Sequence, residues 1–175
     1  MMARHKRGLV LAIHPTSRGF GWVLFENALK PVDWGLASIK TKRSARSIAR
    51  FEKLLDRYAP KVIVFEEFDE HPARRANRIQ GLCRQMIALA GDRGLYTPIY
   101  SRETIRETFE SSGARTRRDI ALSVAEQIEV FRRRLPRERK YQGESEDVRQ
   151  SLFDAVALAL TYFAVSAPKD EPSKS

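Results

Sequence analysis

Cysteine is almost missing from this chain: Cys83 stands alone in 175 residues. A single thiol excludes an intramolecular disulfide, so stability has to come from a packed core, and a reducing cytoplasm is the expected setting. Long apolar runs are missing as well. Stretches such as Val62–Phe65 and Ala155–Leu160 are far too short to span a bilayer. The basic segment Met1–Arg7 is not followed by apolar sequence of signal-peptide length. The chain carries no phosphate-cradling P-loop, no internal repeat and no heptad pattern, which argues against a nucleotide-hydrolysing domain, a solenoid and a coiled coil. Acidic residues are in deficit. Twenty-two Asp and Glu against 32 Lys and Arg leave a formal charge of +10. An excess of that size favours polyanionic partners, because each phosphate contact releases condensed counterions.

What is present is the make-up of one globular domain, with 42% hydrophobic and 31% charged residues on a chain too short for two ordinary domains. Residues 1–8 read as a basic leader, 9–165 as the domain and 166–175 as a disordered polar tail. Leu9–Ile13 is a continuous apolar run suited to a strand buried on both faces; His14-Pro15-Thr16-Ser17 should break it, and Gly19–Phe25 resumes a strand pattern. Pro31 and Asp33 mark a turn before a third strand at Val32–Ile39. Ser44–Tyr58 is an amphipathic helix ended by Pro60, and Lys61–Phe65 a short apolar strand that stops at Glu66-Glu67. A helix over Ala76–Asp92, a strand over Tyr96–Tyr100 and a short helix over Arg102–Phe109 follow. Further helices are expected at Thr116–Arg132 and Asp147–Val165, separated by a basic loop. Three strands followed by alternating helices and strands predict an α/β sheet with parallel and antiparallel pairs and helices on both faces.

The opening, with Pro15, Ser17, Arg18 and Gly21 after a buried strand, resembles that of RuvC-type Holliday-junction resolvases, members of the RNase H-like superfamily. The resemblance covers roughly Leu9–Phe163 and implies an RNase H-like, mixed five-stranded sheet. It also implies a structure-selective endonuclease acting on branched DNA, a homodimer, and a carboxylate site for Mg²⁺ or Mn²⁺, hard cations that take oxygen ligands. His14 occupies the place of the family's first metal-binding Asp and Thr16 that of a Gly. Glu66 matches the acid that ends the fourth strand, and Asp154, in Phe153-Asp154-Ala155-Val156-Ala157, the closing helix acid. The family's other helix acid falls on Ser151 here, with Asp147 two turns ahead of Asp154 on the same predicted face and Glu146 beside it. The expected catalytic set is therefore His14, Glu66, Asp154 and Asp147, with Glu66, Asp154 and His14 toward metal. An imidazole suits Mn²⁺ or Zn²⁺ better than Mg²⁺; His14 is equally placed as a general base, as a phosphate contact when protonated, or as a space-filler in a decayed site. For nucleic acid the candidates are Arg18, Arg74, Arg75, Arg115, Arg117 and Arg118, Arg117 falling where the family carries a Lys. None forms a base-reading motif, so contact with shape and phosphate is expected. The alternative is a cleavage-deficient relative that binds nucleic acid or serves as an assembly partner.

Overall fold

The computed structural model describes residues 8–68 and 74–167, without the side chains of residues 74–76. Most of the expected basic leader and of the polar tail therefore lies outside the described residues. Strands β1 (Val10–Thr16), β2 (Gly19–Asn27), β3 (Lys30–Ser38), β4 (Val62–Glu66) and β5 (Ile99–Tyr100) form one sheet in the order β3-β2-β1-β4-β5. β1 runs antiparallel to β2 and parallel to β4; β4 is parallel to β5. This is the mixed five-stranded sheet expected from the sequence.

The sheet alternates its side chains between two cores, as the period of a strand requires. Leu11 and Ile13 of β1 and Ile63 and Phe65 of β4 face a core closed by helices α1 (Arg43–Tyr58) and α2 (Arg74–Asp92). Val10, Ala12 and Val64 face the other core, closed by α3 (Arg102–Glu110), α4 (Arg117–Gln127) and α5 (Gln150–Ser166). Helices on both faces explain why β1 and β4 read as unbroken apolar runs.

Several expected boundaries shift, each for a local reason. β1 does not break at His14 but continues through Pro15 to Thr16, pairing His14 with Gly21 and Pro15 with Phe20. Its parallel ladder with β4 ends at Ala12↔Val64, so Pro15 sits where the strand has one neighbour and its missing N–H is tolerated. The β2–β3 hairpin turns at Ala28-Leu29, ahead of Pro31. β5 shortens to two residues plus a bridge from Tyr96 to Val62, because Pro98 interrupts the ladder. α4 stops at Gln127; Ile128 is extended and Glu129–Arg134 form a 3₁₀ turn. That turn seats Phe131 edge-on between Trp34 (5.2 Å) and Phe153 (6.1 Å). α5 starts at Gln150, three residues later than the sequence suggests.

One close approach positions α5. A Cβ on Gly21 would lie 2.3 Å from the Ser151 carbonyl carbon, so glycine is what lets the first turn of α5 rest directly on β2. Its pairing partner across the strands is His14.

Candidate active site

The register of the sheet brings the site together. Val10 pairs with Val62 and Ala12 with Val64, so two residues further on His14 and Glu66 close the same row, on the face covered by α5. Asp154 lies one turn into α5 above them. His14 Nδ1 is 3.2 Å from Glu66 Oε2, and His14 Nε2 is 3.4 Å from Asp154 Oδ2. The imidazole thus stands between the two carboxylates. All three side chains are nearly closed to water, with 9, 6 and 11% of their surfaces exposed for His14, Glu66 and Asp154. The Nδ1 contact is within hydrogen-bonding distance but badly aligned, leaving that nitrogen without a well-formed partner.

Arginines close the cluster from the other side. Arg117, the first residue of α4, places Nε on Asp154 Oδ1 at 3.0 Å and a second guanidinium nitrogen on Asp154 Oδ2, a bidentate clamp. The same guanidinium meets Glu146. Its position follows from the start of α4, where the Thr116 hydroxyl accepts from the Asp119 amide and Asp119 accepts from the Thr116 amide. Arg102, at the start of α3, reaches Glu66 Oε1 at 3.0 Å, and Gln150 Nε2 donates to Asp154 Oδ1 at 3.1 Å.

These charges set one another's protonation. Burial pushes the His14 pKa down, but the Asp154 charge, followed by the Glu66 contact and charge, outweighs burial and the repulsion from Arg117; the net shift is upward. Burial pushes the Asp154 carboxyl up, yet the His14 charge and the Arg117 hydrogen bond hold it below its ordinary value. The cluster therefore sets an imidazole whose protonation is favoured, together with a guanidinium, around a buried carboxylate, and Glu66 faces the other ring nitrogen.

The expected Mg²⁺ or Mn²⁺ does not fit this arrangement. Both oxygens of Asp154 and Oε1 of Glu66 are engaged by His14, Arg117, Arg102 or Gln150, and Oε2 of Glu66 faces the His14 ring. A divalent ion needs several free oxygen ligands. Among the described residues no group of three or more His, Cys, Asp or Glu side chains is disposed to hold a metal. The physical reason is His14: it puts an imidazole where a first-strand carboxylate would add a ligand.

Asp147 is not brought into this cluster. With α5 beginning at Gln150, Asp147 lies in the preceding turn and does not share the helical face of Asp154. Its carboxylate accepts from Arg149 Nη2 at 2.7 Å and from the Arg137 amide at 2.8 Å, and the Arg149 bond is the main cause of its strongly lowered pKa. Asp147 and Ser151 instead line a cavity of about 410 Å³ together with the exposed Arg18. The Ser151 hydroxyl donates to Val148 O at 3.1 Å, so it finishes the start of α5. Arg118 ties the Pro136 carbonyl, and Arg115 is exposed. Arg74 and Arg75 begin α2, their side chains outside the described residues. Arg102 and Gln150 did not stand out in the sequence. Gln150, four residues before Asp154, was within reach of a helical-spacing argument; Arg102 needed the pairing of Glu66 with Tyr100, which no sequence pattern prints.

No protein-family model matches the chain, and no curated protein sequence matches it. Solved structures do. Thermus thermophilus RuvC superposes with a TM-score of 0.65 at 18% identity, over 90% of this chain and 95% of that one. The chain has the RuvC fold. T. thermophilus RuvC in complex with Holliday junction substrate gives a TM-score of 0.64 at 17% identity, over 90% of this chain and 94% of RuvC. The yeast mitochondrial Holliday junction resolvase gives 0.56 at 13%, over 93 and 82% of the two chains. The RNase H-like, RuvC-type architecture anticipated from the opening motif is therefore the one observed, at an identity low enough for the site to have diverged. Among the described residues no helix is long and apolar enough to cross a membrane.

Proposed function

We propose that this protein is a structure-selective nuclease of branched DNA whose centre is His14, Glu66, Asp154 and Arg117. The observation that carries the reading is the meeting of three chain segments, the ends of β1 and β4 and the first turns of α5, at one buried charged cluster on a RuvC fold. A RuvC of this fold is described in complex with a Holliday junction substrate, and a net charge of +10 suits the same class of ligand.

In this centre Arg117 and Arg102 are the cations that would draw a scissile phosphate toward the carboxylates. His14 holds a proton between Glu66 and Asp154 and would pass it to the leaving oxygen as the P–O bond breaks, while a carboxylate takes the proton lost by the attacking water. The homodimer implied by the resemblance belongs to the same proposal, since two copies would address two strands of a junction. Helix α2 has no large exposed apolar side chain among its described residues, so the proposed dimer contact is sought on another face.

A second reading is favoured by the engagement of both Asp154 oxygens and of Glu66 Oε1 by groups of the chain itself: a scaffold that binds branched DNA without cutting it. Incubation of a labelled four-way junction in EDTA and in Mn²⁺, with wild type, Glu66→Gln and Asp154→Asn, decides between them. Nicking abolished by both substitutions supports the nuclease; junction binding without nicking under either condition selects the scaffold.

A further inference from the structure

Helix α1 begins without the devices that finish α3 and α4. Ser101 and Thr116 cap those two helices with their hydroxyls, whereas α1 follows Lys42, which sits in the left-handed region (φ 49°), offers no side-chain cap and leads into a first turn with no acid. The first helical hydrogen bond runs from the Arg46 amide to Lys42 O at 3.0 Å, so the amides of Arg43, Ser44 and Ala45 face outward from a positive helix end. A cavity of about 370 Å³ opens at this end, between the β1–β2 turn and α2. Lys40, Lys42, Arg43 and Arg78 line it with Ser44 and Ser47, and no acidic residue does so among the described residues. Arg43 is fixed across it by a 3.1 Å bond to Ser17 O.

Ser47 supplies an independent pointer to a ligand. The residue is fully buried, and its hydroxyl has no hydrogen-bond partner although it lines the cavity. A serine in a helix ordinarily bonds its own backbone one turn back, and a buried hydroxyl left unpaired is costly. Helix-end amides, serine hydroxyls and four cations around a cavity with no acid among its described lining match a tetrahedral oxyanion.

We propose that this cavity is a phosphate-binding site, formed by the first turn of α1, Ser47, Lys42 and Arg78. It lies on the α1–α2 side of the sheet, apart from the His14–Glu66–Asp154 centre on the α5 side. Where the ligand is a phosphodiester of a DNA arm, the site rests on the branched-DNA reading and would anchor one strand while another meets the centre. A free phosphate is the other source of the same chemistry.

The test is an amide-resolved NMR titration of the full chain with inorganic phosphate against chloride at matched ionic strength, followed by junction binding. Saturable shifts at Ser44, Ala45 and Ser47 with phosphate alone are expected. Ser47→Ala and the double variant Lys42→Ala/Arg78→Ala should each weaken them by about tenfold, with unchanged far-UV spectra. If the ligand is DNA backbone, the double variant also loses junction affinity and its log–log salt slope falls by about 1 to 2. Unchanged junction affinity with retained phosphate shifts assigns the site to free phosphate. Absence of saturable shifts in the wild type overturns the proposal. A wild type that shows the shifts but binds no junction defeats the branched-DNA reading and leaves the phosphate site standing.

Discussion

At the scale of the residue, His14 governs the chemistry of the centre. A buried imidazole held between two carboxylates gains a proton more readily than a free one, so the sign of its effect on stability is fixed. Its folded pKa lies above the ordinary value near 6.5; the stabilisation is complete below that value and is lost as pH rises through the folded pKa. Asp154 acts in the opposite sense, stabilising above the ordinary carboxylate range and losing that contribution as pH falls through its lowered pKa. Urea unfolding of wild type and His14→Gln across this range should therefore show a stability difference that shrinks on the alkaline side; a difference independent of pH would mean that folding leaves the His14 pKa unshifted, and one that grows on the alkaline side that His14 is neutral in the fold. Replacing His14 by aspartate removes the imidazole and places a third carboxylate beside Glu66 and Asp154. In calorimetry His14→Asp should gain Mn²⁺ binding that the wild type lacks, and its lowered Tm should recover when Mn²⁺ is added. Equal Mn²⁺ binding by both proteins would contradict the view that His14 and the arginines fill the carboxylates. Cys83, the one thiol, takes no part: burial, followed by the Glu66 charge, pushes it up to about 12.

At the scale of the element, the centre depends on how closely α5 lies on the sheet. Gly21 permits that approach, and Gly21→Ala would force its Cβ against the Ser151 backbone. The substitution should cost about 1–3 kcal/mol in thermal or urea unfolding and separate Asp154 from His14, which the upward shift of the His14 pKa followed by NMR would reveal as a decrease. Retained stability and an unchanged His14 pKa would show that α5 can shift without consequence. The same level explains what the sequence disclosed. Apolar runs at Val10–Ile13 and Val62–Phe65 marked buried strands because both faces of the sheet are covered, and Glu66 and Asp154 stood out as acids beside apolar sequence. Asp147 misled because a helical face has meaning only inside the helix, and α5 starts three residues beyond it. Arg102 stayed hidden because its partner Glu66 reaches it through strand pairing across some thirty-five residues of sequence, and pairing register is a tertiary property. The arginines expected from the sequence to meet nucleic acid divided for a similar reason: Arg117 is drawn into the centre by Asp154 and Arg118 is occupied by Pro136, while Arg115 and Arg18 stay exposed.

At the scale of the whole molecule, a RuvC fold, a charge of +10 and a buried charged cluster at the ends of the two central strands are the observations behind the proposed action on branched DNA. The cavity proposed for phosphate is closed by α1 and α2 on one side of the sheet, and the His14–Glu66–Asp154 cluster lies under α5 on the other, so a ligand that presents more than one arm is the one proposed to meet both. The measurement that tests this most directly is the affinity of wild type for a labelled four-way junction against a linear duplex of the same length and sequence, at fixed salt. The junction should bind more tightly by about tenfold or more, with an affinity that falls steeply as salt is raised. Equal affinity for junction and duplex would contradict the account.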